Sequence, residues 1–125
     1  MVGGLSGLRV LVVEDSFLMA DALCDLLAEC GMAPVGPVAS VVAALDFLAA
    51  GALDAAVIDV RLERGTSLAF CQSLHRRGLP FILLTGAKPG ALPPSFADVP
   101  VVIKPCSPEA LVAALGDAVA RAAAR

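Results

Sequence analysis

Apolar residues are arranged along the chain in two alternating patterns, short continuous runs and longer stretches with helical spacing. The continuous runs have the length and the β-branched content of buried strands. They cover residues Arg9 to Val13, Ala55 to Ile58, Pro80 to Leu84 and Val101 to Ile103. The pattern therefore predicts four buried strands.

One further, weaker strand, the second of five in chain order, is predicted for Ala33 to Val38. Pro34 and Pro37 interrupt this segment, and each proline removes a backbone N–H that a central strand would need. We therefore expect this strand at an edge of the sheet.

Four stretches show helical spacing, three between strands and one after the last strand, and they carry start or stop signals. Serines precede three of the helices, where a side-chain oxygen can accept a hydrogen bond from the first turn, and glycines follow the helices. The starts follow Ser16, Ser40 and Ser107, a further helix covers Leu68 to Arg77, and the stops are Gly31, Gly51 and Gly78. Strands and helices are therefore predicted to alternate, with one exception.

The exception is the segment 86–100, which joins the fourth and fifth strands. It contains four prolines, so a long regular helix is not expected there. We expect a loop with at most a short helix near Leu92 to Ala97, which amounts to a shortened or irregular fourth helix.

The alternation predicts an α/β fold with a doubly wound, five-stranded parallel sheet. Parallel strands need crossover connections, and these cover both faces of the sheet with helices. The chain has 125 residues, which is enough for one well-filled core and too few for two. We therefore predict a single domain over residues 1–125.

Composition and charge exclude several classes of function. Hydrophobic residues make up 58% of the chain, yet charged residues interrupt every long apolar stretch, so no membrane span is predicted. The N-terminus lacks the basic head and apolar stretch of a signal peptide, which predicts a cytoplasmic protein. The net charge is −3 without a basic cluster, so neither nucleic acid nor a membrane is expected as a partner.

Polar side chains stand where the apolar strands stop. Glu14 and Asp15 follow the first strand, Asp59 the third, Thr85 the fourth and Lys104 the fifth. Parallel sheets bind ligands just beyond the carboxyl ends of their strands. We therefore expect these five side chains to meet at one site.

The carboxylates of this site predict a bound cation. Two unit charges about 4 Å apart interact by about 4 kcal/mol at an effective dielectric near 20, and Mg²⁺ relieves such repulsion because it prefers carboxylate, carbonyl and water oxygens. Asp15 and Asp59 are the predicted direct ligands, and Glu14 binds directly or through water. The backbone carbonyl of Arg61 completes the predicted site.

Lys104 and the Thr85 hydroxyl indicate the reaction that the metal would support. Phosphoryl transfer needs neutralised oxygens and a nucleophile held in line, which Mg²⁺, Lys104 and the Thr85 hydroxyl can supply. Asp59 is the predicted nucleophile, because it lies centrally and carboxylates form acyl phosphates.

Four segments, VLVVEDS, AAVIDV, FILLTGA and VVIKP, resemble the receiver domain of two-component response regulators. The resemblance covers nearly the whole chain. It implies that Asp59 is the phosphoacceptor, that Glu14 and Asp15 form the acidic pair, and that Thr85 is the switch hydroxyl. The implied cofactor is Mg²⁺.

The resemblance also implies the flavodoxin-like strand order 2-1-3-4-5, which the residues alone do not give. Lys104 matches the lysine of the family and is expected before a cis peptide bond to Pro105. The implied partners are a histidine kinase or histidine phosphotransferase and a downstream protein, and a homodimer is compatible with the sequence. Apart from its own phosphorylation and dephosphorylation, no enzymatic activity is implied.

The chain departs from the usual receiver pattern after the phosphoacceptor and at the switch aromatic. Glu63 stands where receivers have proline, and Gly65 comes two residues early. The shortened DVRLERGTS, together with the run LPFILLTGA, resembles the alphaproteobacterial single-domain receivers of the FAT GUY group, whose motif reads roughly P-F-x-F-A-T-G-Y. Leu83, Leu84 and Ala87 stand where that group has Phe, Ala and Tyr. Val101 stands where receivers have a switch aromatic, so phosphorylation is implied without the usual aromatic readout.

Other classes of function are disfavoured by single positions. A phosphatase of the haloacid dehalogenase type needs a second aspartate two residues after the nucleophile, where Arg61 stands. The glycines of GGLSG precede the first strand, so they form no nucleotide-binding loop after it. Two alternatives stay open, a receiver excised from a hybrid histidine kinase and an interaction module whose phosphorylation is vestigial.

Overall fold

A parallel sheet of five strands forms the centre of the computed structural model, which describes residues 5–62, 65–86 and 92–124. The strands of the chain are β1 (Arg9–Val13), β2 (Ala33–Val38), β3 (Ala55–Asp59), β4 (Arg61–Leu62), β5 (Gly65–Thr66), β6 (Phe81–Thr85) and β7 (Val101–Ile103). The order across the sheet is β2-β1-β3-β6-β7, and each neighbouring pair is parallel. Without the separate β4–β5 hairpin this is the order 2-1-3-4-5, so the predicted order is confirmed.

The described part of the chain contains four α-helices, of which three connect strands and the last follows β7. They are α1 (Phe17–Glu29), α2 (Val41–Ala50), α3 (Leu68–Arg77) and α4 (Pro108–Ala123). Three begin with the predicted serine cap, in which the side-chain oxygen accepts a backbone N–H three residues ahead. These bonds join Ser16 to Met19, Ser40 to Ala43 and Ser107 to Ala110. Over the described residues, none of the helices combines the length and the apolarity needed to cross a bilayer.

Each face of the sheet carries its own apolar core, because side chains alternate between the faces along a strand. Leu11 and Val13 of β1 pack in a cluster with residues of α2 and α3, while Val10 and Val12 pack with residues of α1 and α4. Every residue of β3 and β6 is buried. The predicted doubly wound architecture is therefore confirmed.

The strand β2 lies at an edge of the sheet, as its prolines predict. Among the described strands it pairs with β1 alone, and the register shifts between Leu11 and Val13. Gly36 lies in this irregular stretch with a φ of 94°, a conformation that side chains with a Cβ rarely adopt. Beyond the irregularity, Glu14 N–H donates to Val38 O at 3.0 Å, which anchors the backbone just after β1.

The segment between β6 and β7 contains no full α-helix in its described part, residues 92–100. A single 3-10 turn covers Pro94–Phe96, in agreement with the short helix predicted for this segment. Phe96 is buried and packs edge-on against Phe81, with ring centroids 5.6 Å apart. Residues 87–91 of this segment lie outside the described residues.

The β4–β5 hairpin is not predicted by the sequence pattern. Its antiparallel pairs join Arg61 with Thr66 and Leu62 with Gly65, and strands of two residues are too short to show an alternation of apolar and polar positions. Because the hairpin begins two residues after Asp59, it extends from the carboxyl edge of the sheet.

We predict that Leu83→Ala lowers the free energy of unfolding by about 2–5 kcal/mol. Leu83 is fully buried in β6, so its truncation leaves a cavity in the core. Urea denaturation followed by circular dichroism measures the loss. Leu18→Ala is the control, because Leu18 is 81% exposed on α1 and its truncation should change stability by at most about 0.5 kcal/mol. Equal losses in the two variants would contradict the described core.

Candidate functional site

The five predicted side chains lie at the carboxyl edge of the sheet, each at or just after a strand end. Glu14 and Asp15 follow β1, Asp59 is the last residue of β3, Thr85 ends β6 and Lys104 follows β7. The parallel topology brings these residues to the same edge although Glu14 and Lys104 are 90 positions apart in the chain. The predicted convergence at one edge is therefore what the structure shows.

Three carboxylates form the centre of this edge. Glu14, Asp15 and Asp59 each offer one oxygen, and these oxygens lie within 4.8 Å of one another. Glu14 is 3% exposed, Asp59 is 4% exposed and Asp15 is half-buried. Since solvent screens buried charges poorly, the three groups repel one another when ionised. This arrangement needs a compensating cation.

Lys104 supplies part of that compensation. Its Nζ donates hydrogen bonds to Asp59 Oδ2 at 2.7 Å and to Glu14 Oε2 at 3.0 Å. The side chain reaches past β6 from the end of β7. The backbone N–H of Lys104 donates to Thr85 O at 2.7 Å, which ties the lysine to the end of β6. The peptide bond between Lys104 and Pro105 is cis, as the resemblance implies.

Backbone N–H groups hold the other carboxylate oxygens. Ser16 N–H donates to Glu14 Oε1 and Arg61 N–H donates to Asp59 Oδ1, each at 3.1 Å. The two buried carboxylates therefore each accept one bond from a backbone donor and one from Lys104. Hydrogen bonds to charged groups are the stronger kind, so the orientation of both carboxylates is well defined.

The charges at the site do not cancel. Three carboxylates and one ammonium group leave a formal charge of −2 in the cluster. Burial raises the pKa of Glu14, and nearby Asp59 raises it further despite the opposing hydrogen bond from Lys104. Burial alone lowers the pKa of Lys104, but its hydrogen bonds to Asp59 and Glu14 raise it overall. Lys104 is therefore charged at neutral pH, and ionised Glu14 is unfavourable without a further cation.

The donor set fits a hard divalent cation. Carboxylate oxygens are the ligands that such cations prefer, and an ion of charge +2 would cancel the formal charge of the cluster. The structure therefore brings together the three carboxylates that the sequence assigns to a metal site.

Two further predicted residues lie beside the carboxylates. Thr85 is buried at the end of β6, in the strand that pairs with β3. Arg61 is exposed in β4 and contacts Asp59 through its backbone N–H. The role of the Thr85 hydroxyl and the use of the Arg61 carbonyl as a metal ligand stay predictions.

Sequence reasoning missed one residue that contacts the site. Ser67 is fully buried, and its hydroxyl donates to Asp59 O at 2.7 Å and contacts Val60 O at 3.3 Å. Behind it lies Cys71, whose Sγ is 3.9 Å from Ser67 Oγ and whose pKa is raised to about 12 by burial, so it remains a thiol. A serine before a helix resembles an ordinary cap in the sequence, so the pattern gives no signal for this contact.

The protein is a doubly wound α/β domain. At the carboxyl edge of its sheet, a lysine bridges two members of a carboxylate cluster. A family model for the response regulator receiver domain matches residues 10–116. The chain therefore belongs to the response regulator receiver domain family. A comparison with curated protein sequences gives no match.

Solved structures agree with this assignment. SdrG from Sphingomonas melonis Fr1 is 34% identical, with a TM-score of 0.79 and with 90% of this chain and 97% of SdrG covered. The BeF3-activated conformation of SdrG, from Pseudomonas melonis Fr1, is 35% identical, with a TM-score of 0.76 and coverage of 92% and 99%. A CheY-like receiver domain from Methylobacillus flagellatus is 27% identical, with a TM-score of 0.71 and coverage of 85% and 93%.

In metal-free buffer, we predict that wild type loses stability relative to Glu14→Gln as pH rises. The pKa of Glu14 is raised in the folded chain, so the folded state binds this proton more tightly than the unfolded state does. The resulting stabilisation is complete below the ordinary pKa of 4.5, and it is lost as pH rises through the higher folded-state pKa.

Urea denaturation of both chains in EDTA, from about pH 4 to about pH 8, measures this difference. Glu29→Gln removes an exposed carboxylate at the end of α1 and is the control for a charge change outside the site. A wild type that gains stability over Glu14→Gln with rising pH would contradict the described environment of Glu14.

Proposed function

We propose that the chain is a phosphoacceptor receiver of a two-component phosphorelay. In this proposal Asp59 takes a phosphoryl group from a histidine kinase or a histidine phosphotransferase. One observation carries the proposal: Lys104 Nζ lies 2.7 Å from Asp59 Oδ2 and 3.0 Å from Glu14 Oε2, with Asp15 in the same cluster. Three carboxylates and one lysine leave a formal charge of −2, which suits a site that takes up a divalent cation. With that charge cancelled, Asp59 can accept a phosphoryl group.

In the proposed transfer, a carboxylate oxygen of Asp59 attacks the phosphorus of a phosphohistidine and an O–P bond forms. The P–N bond breaks, and the imidazole keeps the electron pair and takes up a proton from solvent. The Lys104 ammonium beside Asp59 neutralises one phosphoryl oxygen, and the Thr85 hydroxyl donates to another. Water later hydrolyses the acyl phosphate, which returns the Asp59 carboxylate and releases inorganic phosphate.

The acidic cluster is proposed to hold Mg²⁺. Asp15 and Asp59 bind the ion directly, Glu14 binds it directly or through water, and the backbone carbonyl of Arg61 adds a further oxygen. When bound, the ion neutralises negative charge on the transferring phosphoryl group. The formal charge of −2 supports this assignment.

Phosphorylation is proposed to alter a surface that contacts a downstream protein in the cytoplasm. The proposed surface consists of the segment 86–100, β7 and α4. Among the described residues, β7 pairs with β6 at Thr85 and α4 packs against both strands. On β7, Ile103 presents an apolar side chain that is 52% exposed, and such a side chain suits contact with another protein. Because Val101 stands at the position of the usual aromatic, the readout does not use a rotating ring at that position.

We predict that acetyl phosphate with Mg²⁺ adds one phosphoryl group to the wild-type chain, measured by intact mass. The adduct should be labile to hydroxylamine, because an acyl phosphate is an activated carboxyl group. Asp59→Asn should give no adduct. Asp46→Asn makes the same change at an exposed position of α2 and should be labelled like wild type.

An unlabelled wild type, under conditions in which other receivers react, would favour the alternative of an interaction module with vestigial phosphorylation. Equal labelling of wild type and Asp59→Asn would contradict Asp59 as the acceptor. Both results are read from the same mass spectra.

We predict that Mg²⁺ stabilises the wild-type chain by about 2.7 kcal/mol at a concentration 100 times its Kd, since it binds only the folded cluster. Asp15→Asn should lose most of this effect, because it removes a direct ligand. Without Mg²⁺ the same variant should be at least as stable as wild type, because one of the repelling carboxylates is gone.

Thermal unfolding at a series of Mg²⁺ concentrations measures both effects. Asp21→Asn, an exposed position of α1, is the charge-matched control and should respond to Mg²⁺ like wild type. An equal response in Asp15→Asn would contradict the assigned ligand set.

A further inference from the structure

Each of the four described α-helices follows a serine, which allows a direct comparison. Ser16, Ser40 and Ser107 accept a hydrogen bond from a backbone N–H of the first turn, at 3.4, 3.2 and 3.1 Å. Ser67 stands at the same position before α3, yet its side chain makes no such bond. Since serine is favoured at helix starts for this bond, its absence indicates that the Ser67 hydroxyl serves another contact.

The Ser67 hydroxyl is directed to the end of β3. Oγ donates to Asp59 O at 2.7 Å and lies 3.3 Å from Val60 O, while Ser67 N–H donates to Val60 O at 3.1 Å. The residue is 0% exposed, so water does not compete for these bonds. The backbone that carries Asp59 is therefore tied to the start of α3 by both the side chain and the main chain of Ser67.

This contact acts on the peptide unit that follows Asp59, whose other end, the Val60 N–H, donates to Leu84 O at 2.9 Å. Lys104 and the Arg61 N–H hold the carboxylate oxygens of Asp59. The direction in which the Asp59 side chain leaves the backbone depends instead on the orientation of the peptide unit that follows it. Ser67 holds the carbonyl of that peptide unit. Reacting atoms must lie within a narrow range of geometry, and a displacement of about 1 Å can slow a reaction about 100-fold.

We propose that Ser67 is a positioning residue for phosphoryl transfer, because its hydroxyl holds the main-chain carbonyl of the phosphoacceptor Asp59. This role rests on the proposed function. Ser67 touches neither the carboxylate oxygens of the site nor Lys104, so it acts through the backbone of Asp59.

The test compares Ser67→Ala and Ser67→Gly with wild type in the initial rate of labelling by acetyl phosphate at saturating Mg²⁺. Both variants delete the hydroxyl, and glycine is well tolerated before a helix, which provides a folded variant if alanine does not fold. We expect a labelling rate about tenfold lower, the scale of losses when a supporting group behind a metal or catalytic site is removed. Ser40→Ala, which deletes the capping hydroxyl of α2, should label within about twofold of wild type at a temperature where every chain is folded.

A second readout reports the bond itself. In ¹³C-labelled protein, the carbonyl carbon of Asp59 should shift upfield in Ser67→Ala and Ser67→Gly, because it loses a hydrogen-bond donor. Ser40→Ala should leave that signal in place. A loss of stability alone would not move this resonance in a folded chain.

The outcomes separate this inference from the proposed function. Wild type that is labelled at the same rate as both Ser67 variants would overturn the inference alone. An equal slowing of Ser40→Ala, or an unchanged Asp59 carbonyl signal in the Ser67 variants, would also overturn it. Wild type that takes no label would overturn the proposed function and the inference with it.

Discussion

Repulsion among three carboxylates at one end of a buried sheet is the constraint on which the site depends. Glu14 and Asp59 are almost completely buried and share the edge with Asp15, and one lysine neutralises only part of their charge. A folded protein tolerates such a cluster only if its oxygens are held by donors and a cation can complete the balance. The excess of negative charge is of the size that one divalent cation would cancel.

The sheet places the strand ends, and hydrogen bonds at the site orient the individual side chains. Burial of β3 and β6 on both faces holds the strand ends in place, and the parallel topology gathers side chains that are distant in sequence. Fine positioning then comes from single hydrogen bonds. The N–H groups of Ser16 and Arg61 hold carboxylate oxygens, and the Ser67 hydroxyl holds the main chain behind Asp59. A rigid apolar frame with a few polar contacts is a common arrangement where reacting atoms must be held precisely enough to react.

Much of the fold could be predicted from the sequence because its signals are local. Continuous apolar runs, serine caps and the prolines of β2 each act within a few residues. Strand order is not local, so 2-1-3-4-5 could come only from the family resemblance. The site residues could be named because each stands at a strand end, but the 2.7 Å contact between Lys104 and Asp59 depends on the packing of the three strands β3, β6 and β7. The β4–β5 hairpin and the Ser67 contact could not be predicted, since two-residue strands show no period and a buried hydroxyl resembles a cap in sequence.

The most direct test of the account is a crystal structure of the chain with Mg²⁺ and beryllofluoride, a stable mimic of a phosphoryl group. The account predicts beryllium bonded to a carboxylate oxygen of Asp59 and Mg²⁺ bound by Asp15 and Asp59. It also predicts that Lys104 Nζ contacts a fluorine. Beryllofluoride absent from Asp59, or a cation bound away from the three carboxylates, would contradict it.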